Sequence, residues 1–152
     1  EVVFRSTQYL NDADAQAIAV YLRALPQHAI TPAEVVKPSA ATLERGAKVY
    51  EQHCAQCHGD NGEGKPGAFP ALAGNRAVVL QDPTNLVRVV LQGGYLPATA
   101  GNPRPHGMPP FMQVLGDDDV AAVSTFVRNA WGNQASAVGT IGVYRARERR
   151  GS

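Results

Sequence analysis

The sequence predicts an all-α domain that carries one unusually long, proline-rich loop. Apolar residues recur at helical spacing in several segments. No run alternates apolar and polar residues as a half-buried strand would. From Gly94 to Pro110, five prolines and three glycines interrupt any regular element. The chain has 152 residues, 44% hydrophobic and 18% charged, which is the composition of a folded chain rather than a disordered one. A formal charge of +1 argues against nucleic acid as a partner. No apolar run approaches the ~20 residues of a membrane span. Glu1-Val-Val-Phe4 reads as the middle of a chain, so the sequence reads as a mature fragment or an excised domain.

The segments follow in order. Residues 1–27 hold one amphipathic helix, with Asn11 as cap and Asp12 and Asp14 in its first turn. Residues 28–41, with two prolines and no period, read as a linker. Thr42 can cap a helix running towards Cys57, with Gly46 and Tyr50 four apart on one face. Asp82-Pro83 opens a helix filled by Leu86, Val87, Val89, Val90 and Leu91 and ended by Gly93-Gly94, with Pro83 suited to its first position. A last helix follows Gly116. Residues 133–152 are small, polar and then basic, and read as a flexible basic tail.

The first and last of these helices form an internal repeat. LNDADAQAIAVYLRALP from Leu10 aligns with LGDDDVAAVSTFVRNAW from Leu115. Ala17, Ile18, Tyr21, Leu22 and Arg23 meet Ala122, Val123, Phe126, Val127 and Arg128. The stripe of Ala17, Ile18, Tyr21, Leu22 and Leu25 needs a covering surface. It must fold back on residues 42–132, pair with another copy or remain partly exposed, and packing against a surface or a neighbouring chain is the expectation.

The chemistry concentrates in Cys54-Ala-Gln-Cys57-His58, which holds both cysteines of the chain. A disulfide between cysteines three apart on a helix is strained and closes too small a loop to stabilise much. A thioredoxin-type redox pair expects a βαβ setting that the sequence lacks. A zinc site needs four ligands, and His28, His53 and His106 form no second pair. Covalent haem attachment accounts for all three residues: two thiols one helical turn apart for the vinyl groups, and His58 for the iron. Iron then needs a sixth ligand or an open position. Met108, in His106-Gly-Met-Pro-Pro-Phe111, is the first choice, with Met112 and His106 as rivals. Leu86, Val90, Phe69, Leu72, Phe111 and Leu115 are the candidate pocket wall. Arg76, Tyr95, Arg104 and Trp131 are candidate donors to the haem propionates.

Residues 42–132 resemble a class I cytochrome c domain, and the resemblance carries further expectations. Gly46 and Tyr50 stand where that family brings its first and last helices together, with Val123 and Phe126 as partners. Pro70, twelve residues after His58, stands where the family's proline offers its carbonyl to the second nitrogen of the axial histidine. Leu72 would contact the haem, and Gly-Met-Pro-Pro would carry the distal ligand. The layout, including LQGGYLPATAGNPRPHGMPPF and VRNAWGN, is similar to the third haem domain of cytochrome subunits of bacterial membrane-bound alcohol, aldehyde and gluconate dehydrogenases. The resemblance implies the class I cytochrome c fold with an additional N-terminal helix, the remnant of a preceding cytochrome domain.

It also implies one covalent haem c with His58 and Met108 on the iron, and one-electron transfer rather than enzymatic turnover. The donor would be a dehydrogenase or a preceding haem domain, the acceptor a quinone-pathway or oxidase component, and the compartment the periplasm. The basic tail suits contact with anionic lipid. The alternative is a haem-based gas or redox sensor, or a peroxidase-like enzyme, with a labile sixth ligand.

Overall fold

A computed structural model describes residues 2–26 and 35–148. Residues 28–34 of the expected linker lie outside the described residues, as do the last four of the expected tail. The described residues fall into two compact units. One comprises residues 2–26 with 95–105, the other residues 35–94 with 106–148.

The first unit contains helix α1 (Val2–Arg5), a 3-10 turn (Thr7–Tyr9) and helix α2 (Asp12–Ala24). The Asn11 side chain accepts the Asp14 N–H at 2.8 Å, the cap that the sequence predicts. None of the α2 residues is buried, and Ile18, Tyr21 and Leu22 are about half exposed or more. The predicted apolar stripe is therefore an open face.

The second unit is built on the crossing of α3 (Ala40–His53) and α6 (Asp117–Val127). Gly46 is the point of closest approach: a Cβ there would stand 2.2 Å from the Ala122 carbonyl oxygen and 2.7 Å from Phe126 Cβ. Only the missing side chain lets the two backbones meet. Tyr50, one turn on, packs against Phe126 with ring centroids 5.5 Å apart, and Val123 is buried in the core. Trp131 closes this aromatic group, 4.9 Å from Tyr50 and 5.4 Å from Phe126, and lies over Gly62. The indole, a candidate propionate donor from sequence, is partly buried and packs against the core. Helix α4 (Ala55–His58) carries the cysteine motif, and α5 (Thr84–Gln92) completes the core through Val87 and Leu91.

Several boundaries differ from expectation. Helix α3 starts at Ala40, because Ser39 rather than Thr42 supplies the capping oxygen, accepting the Thr42 N–H at 3.1 Å. Pro83 stands just before α5, and Asp82 caps it by accepting from the Thr84 N–H at 2.9 Å and hydroxyl at 2.6 Å. Those bonds hold the Asp82 carboxyl below its usual range. A two-residue ladder is also present within the proline-rich region, where Gly94–Tyr95 (β1) pairs with Gly107–Met108 (β2). It is too short for an alternating pattern to announce it.

The larger correction concerns residues 133–148. They are not a flexible tail. Ala137 donates its N–H to Val36 O at 3.0 Å, and Val138 donates to the buried Thr125 hydroxyl at 2.9 Å. Helix α7 (Thr140–Glu148) then buries Val143 and Ala146. One of its basic residues serves structure: Arg147 Nε lies 2.7 Å from an Asp117 carboxylate oxygen. The same acidic turn of α6 receives Arg45 through Asp119 at 2.8 Å and the Thr140 hydroxyl through Asp118 at 3.0 Å. The three aspartates thus favour the helix dipole and also gather α3 and α7.

Candidate haem site

His58 is buried, at 9% exposure, at the end of α4. Its Nδ1 lies 3.0 Å from the Pro70 carbonyl oxygen. A carbonyl only accepts, so Nδ1 carries the proton and Nε2 keeps its lone pair for a metal. The turn after His58 is made for this contact. Gly64, at φ +66°, donates its N–H to His58 O at 2.7 Å, and a Cβ at Gly64 would stand 2.6–2.7 Å from Phe69 O, Pro70 C and Ala71 N. Glycine therefore admits the 69–71 segment against the motif. Tyr50 donates its hydroxyl to Gly59 O at 2.6 Å and fixes the start of the same turn. Gly62 O accepts from Leu72 at 2.7 Å and Ala73 at 3.0 Å. Asn133 grips the far side, donating to Leu72 O at 3.0 Å and accepting from the Gly74 N–H at 3.0 Å.

Cys54 and Cys57 are half-buried free thiols. Burial pushes the Cys54 thiol up to about 11, and the neighbouring Cys57 adds to the shift. A thiol kept protonated at neutral pH is the opposite of the low-pKa thiolate that a redox-active pair requires.

The apolar surroundings suit a flat ligand. On α5, Val87 and Leu91 face the core, whereas Leu86 and Val90, each one position earlier, are only partly buried. Like Cys54, Leu72, Phe111 and Met112, they are partly buried apolar residues packed against the core. Leu115 is fully part of the core instead. Arg76 is exposed. Tyr95, 79% exposed, and Arg104 belong to the first unit.

Met108 is partly buried in β2. Gly93, at φ +71°, lets its segment approach: a Cβ there would stand 2.4 Å from Met108 O and 2.9 Å from Pro110 N. Phe111 and Met112 then donate their N–H groups to Val90 O at 3.1 Å and Leu91 O at 3.0 Å, capping the end of α5. Two ring contacts join this segment to the motif. His106 meets Phe69 edge-on at 4.9 Å, and Phe111 meets His53 at 5.8 Å. Phe69 adjoins Pro70, and His53 adjoins Cys54.

The family model described as cytochrome c matches residues 43–131. The chain belongs to the cytochrome c family. With that membership, the Cys54–Cys57 spacing assigns one covalent haem c, and the contact of His58 Nδ1 with the Pro70 carbonyl and the partly buried apolar residues Leu72, Leu86 and Val90 fit it. Two dehydrogenase subunits are similar over most of the chain. The cytochrome c subunit of a quinone alcohol dehydrogenase of Gluconacetobacter polyoxogenes is 39% identical over 146 residues, covering 89% of this chain and 31% of that subunit. The gluconate 2-dehydrogenase cytochrome c subunit of Pantoea cypripedii is 37% identical over 149 residues, covering 92% of this chain and 34% of that subunit. The chain thus spans about a third of each. Cytochrome c-552 of Thermus thermophilus is 37% identical over 97 residues, covering 62% of this chain and 73% of that protein. This cytochrome c domain and its relatives support haem-based electron transfer.

The sequence alone does not reveal the groups that hold these loops. Arg128 and Asn133 are buried polar residues with long-range carbonyl partners. Arg128 stands just after α6 and Asn133 in the turn region beyond it, and neither position announces its burial.

Proposed function

We propose that this domain is a one-electron relay in which His58 and Met108 are the two axial ligands of its haem. The observation that carries the reading is the contact between His58 Nδ1 and Pro70 O, which presents Nε2 as a ligand. The ring contact between Phe69 and His106 adds to it by drawing the Met108 segment towards the Pro70 side. Haem iron supplies reversible one-electron chemistry between its ferrous and ferric states. The residues supply the rest. Pro70 fixes the imidazole and raises its basicity. The thioether of Met108 favours the reduced state, and Leu86, Val90, Leu72 and Phe111 keep water from the ring.

The ferric protein is expected to show the weak far-red absorption band of methionine sulfur on iron. Met108→Ala should abolish that band and lower the potential. Immediate binding of carbon monoxide by the ferrous wild type would overturn this reading and favour a sensor with a labile sixth ligand.

The relatives extend the proposal. Electrons would come from a dehydrogenase and pass towards the respiratory chain on the periplasmic side, with the domain as the last haem domain of a longer subunit. Among the described residues no helix is long and apolar enough to cross a membrane. Contact with the partner would be small and transient.

The repeat supports a place in a series. Ala122 and Phe126 of α6 receive Gly46 and Tyr50, and their counterparts on α2 are Ala17 and Tyr21. The exposed face of α2 would receive the corresponding helix of a preceding haem domain. Without that domain it should self-associate. Sedimentation of the chain with and without residues 1–26 tests this: a concentration-dependent dimer is expected only for the longer form. Two monomers would defeat the idea.

A further inference from the structure

We propose that Arg147, in the C-terminal helix α7, is a positioning residue for the loop that carries Met108. The inference rests on the reading of Met108 as a ligand. A thioether bonds iron weakly, so the ligand must be held close to its place by the loop itself. The upstream side of that loop is tied by the short ladder at Gly107–Met108. Its downstream side converges on the Met112 peptide. The Met112 N–H is held by Leu91 O at 3.0 Å, and its carbonyl receives a short bond from Arg147 Nη1. Arg147 Nη2 donates to Leu115 O at 3.0 Å, and Nε donates to Asp117 at 2.7 Å.

One planar guanidinium therefore fixes three acceptors, all within nine residues of Met108. The Arg147 and Asp117 side chains are only 23% and 24% exposed, so the pair is sheltered from solvent. Val143 and Ala146 seat the helix that presents it. A lysine cannot span three acceptors in one plane. Without Arg147 the downstream anchor keeps the Met112 N–H bond and loses the guanidinium bond to the Met112 carbonyl.

The test uses the haem-loaded full chain. The far-red band and helical circular dichroism are followed together during heating, and carbon monoxide is mixed with the ferrous protein. Arg147→Gln and Arg147→Lys should lose the band well before the helices melt. They should also bind carbon monoxide at least about tenfold faster than wild type, because the open-loop population rises. Amide exchange at Phe111 and Met112 should speed up. Val143→Ala, which weakens α7 but keeps the guanidinium, should lower both transitions together. Should Arg147→Gln fail to fold, Asp117→Asn carries the same expectations, since it removes the anchor of the fork.

Loss of the band only with the helices, or unchanged carbon monoxide binding, would overturn the inference. Failure of the Met108 reading looks different: the band would be absent from wild type or would survive Met108→Ala.

Discussion

Gly46→Ala is expected to be among the most destabilising single-methyl changes in the domain. The added Cβ would stand 2.2 Å from a backbone oxygen of α6, and a backbone cannot step aside as a side chain can. Helices α3 and α6 must separate, which also loosens Tyr50 from Phe126. Overpacking of this kind costs roughly 1–3 kcal/mol, and the rigid obstacle places Gly46→Ala at the top of that range. The thermal midpoint should fall by on the order of 10 °C. Gly142→Ala is the internal control. Gly142 lies in α7, and a Cβ there meets nothing within 4 Å. That change should be neutral or raise the midpoint, since alanine is the better helix former. Equal losses in the two variants would show that helix contact is not what selects glycine at position 46.

Arg128→Met is expected to cost at least as much, by another route. Arg128 is 1% exposed, and its three described partners are carbonyl oxygens: Val78 at 2.7 Å, Leu80 at 2.8 Å and Ser136 at 3.1 Å. Burial lowers its pKa, yet an arginine remains charged at any ordinary pH. Methionine fills much of the volume and satisfies none of the carbonyls. Leaving a buried acceptor unpaired costs about 1–3 kcal/mol, so a total of about 3 kcal/mol or more is expected in chemical denaturation. Arg128→Lys should recover only part of the loss, because an ammonium on a single stem cannot reach all three oxygens. If Arg128→Met unfolds at the wild-type denaturant concentration, the carbonyl cluster is not a stability element.

The cysteine motif, the Asn11 cap and the α5 helix were legible because each depends on a few neighbouring residues. The meeting of α3 with α6 at Gly46, Tyr50 and Phe126 was reachable through the family resemblance, because no local pattern dictates which two helices cross. The contact between His58 and Pro70 was reachable only through family resemblance. Nothing in a twelve-residue separation dictates that a carbonyl meets an imidazole, and Gly64 is what permits it.

Helix α7 was hidden for a plain reason. It buries little more than Val143 and Ala146, while Arg145 and Arg147 make it resemble a solvated tail. Its place is decided by Asp117 and the Met112 and Leu115 carbonyls, which lie some thirty residues away. Arg128 was misleading in the same way. A cation at a helix end normally faces water, and Arg23, its counterpart in the repeat, is exposed. The burial of Arg128 follows from the loop carbonyls at Val78 and Leu80, which no local pattern announces.

The α3–α6 crossing also governs how the chain must come together in time. Arg45 and Asp119 are 74 residues apart, so their contact closes a loop of nearly half the chain. Closing so long a loop costs entropy before any packing between the helices repays it, and contacts of this separation slow folding. Until the α6 residues complete the core, Cys54, which packs against it, is left uncovered. The two thiols are therefore most accessible in the unclosed chain.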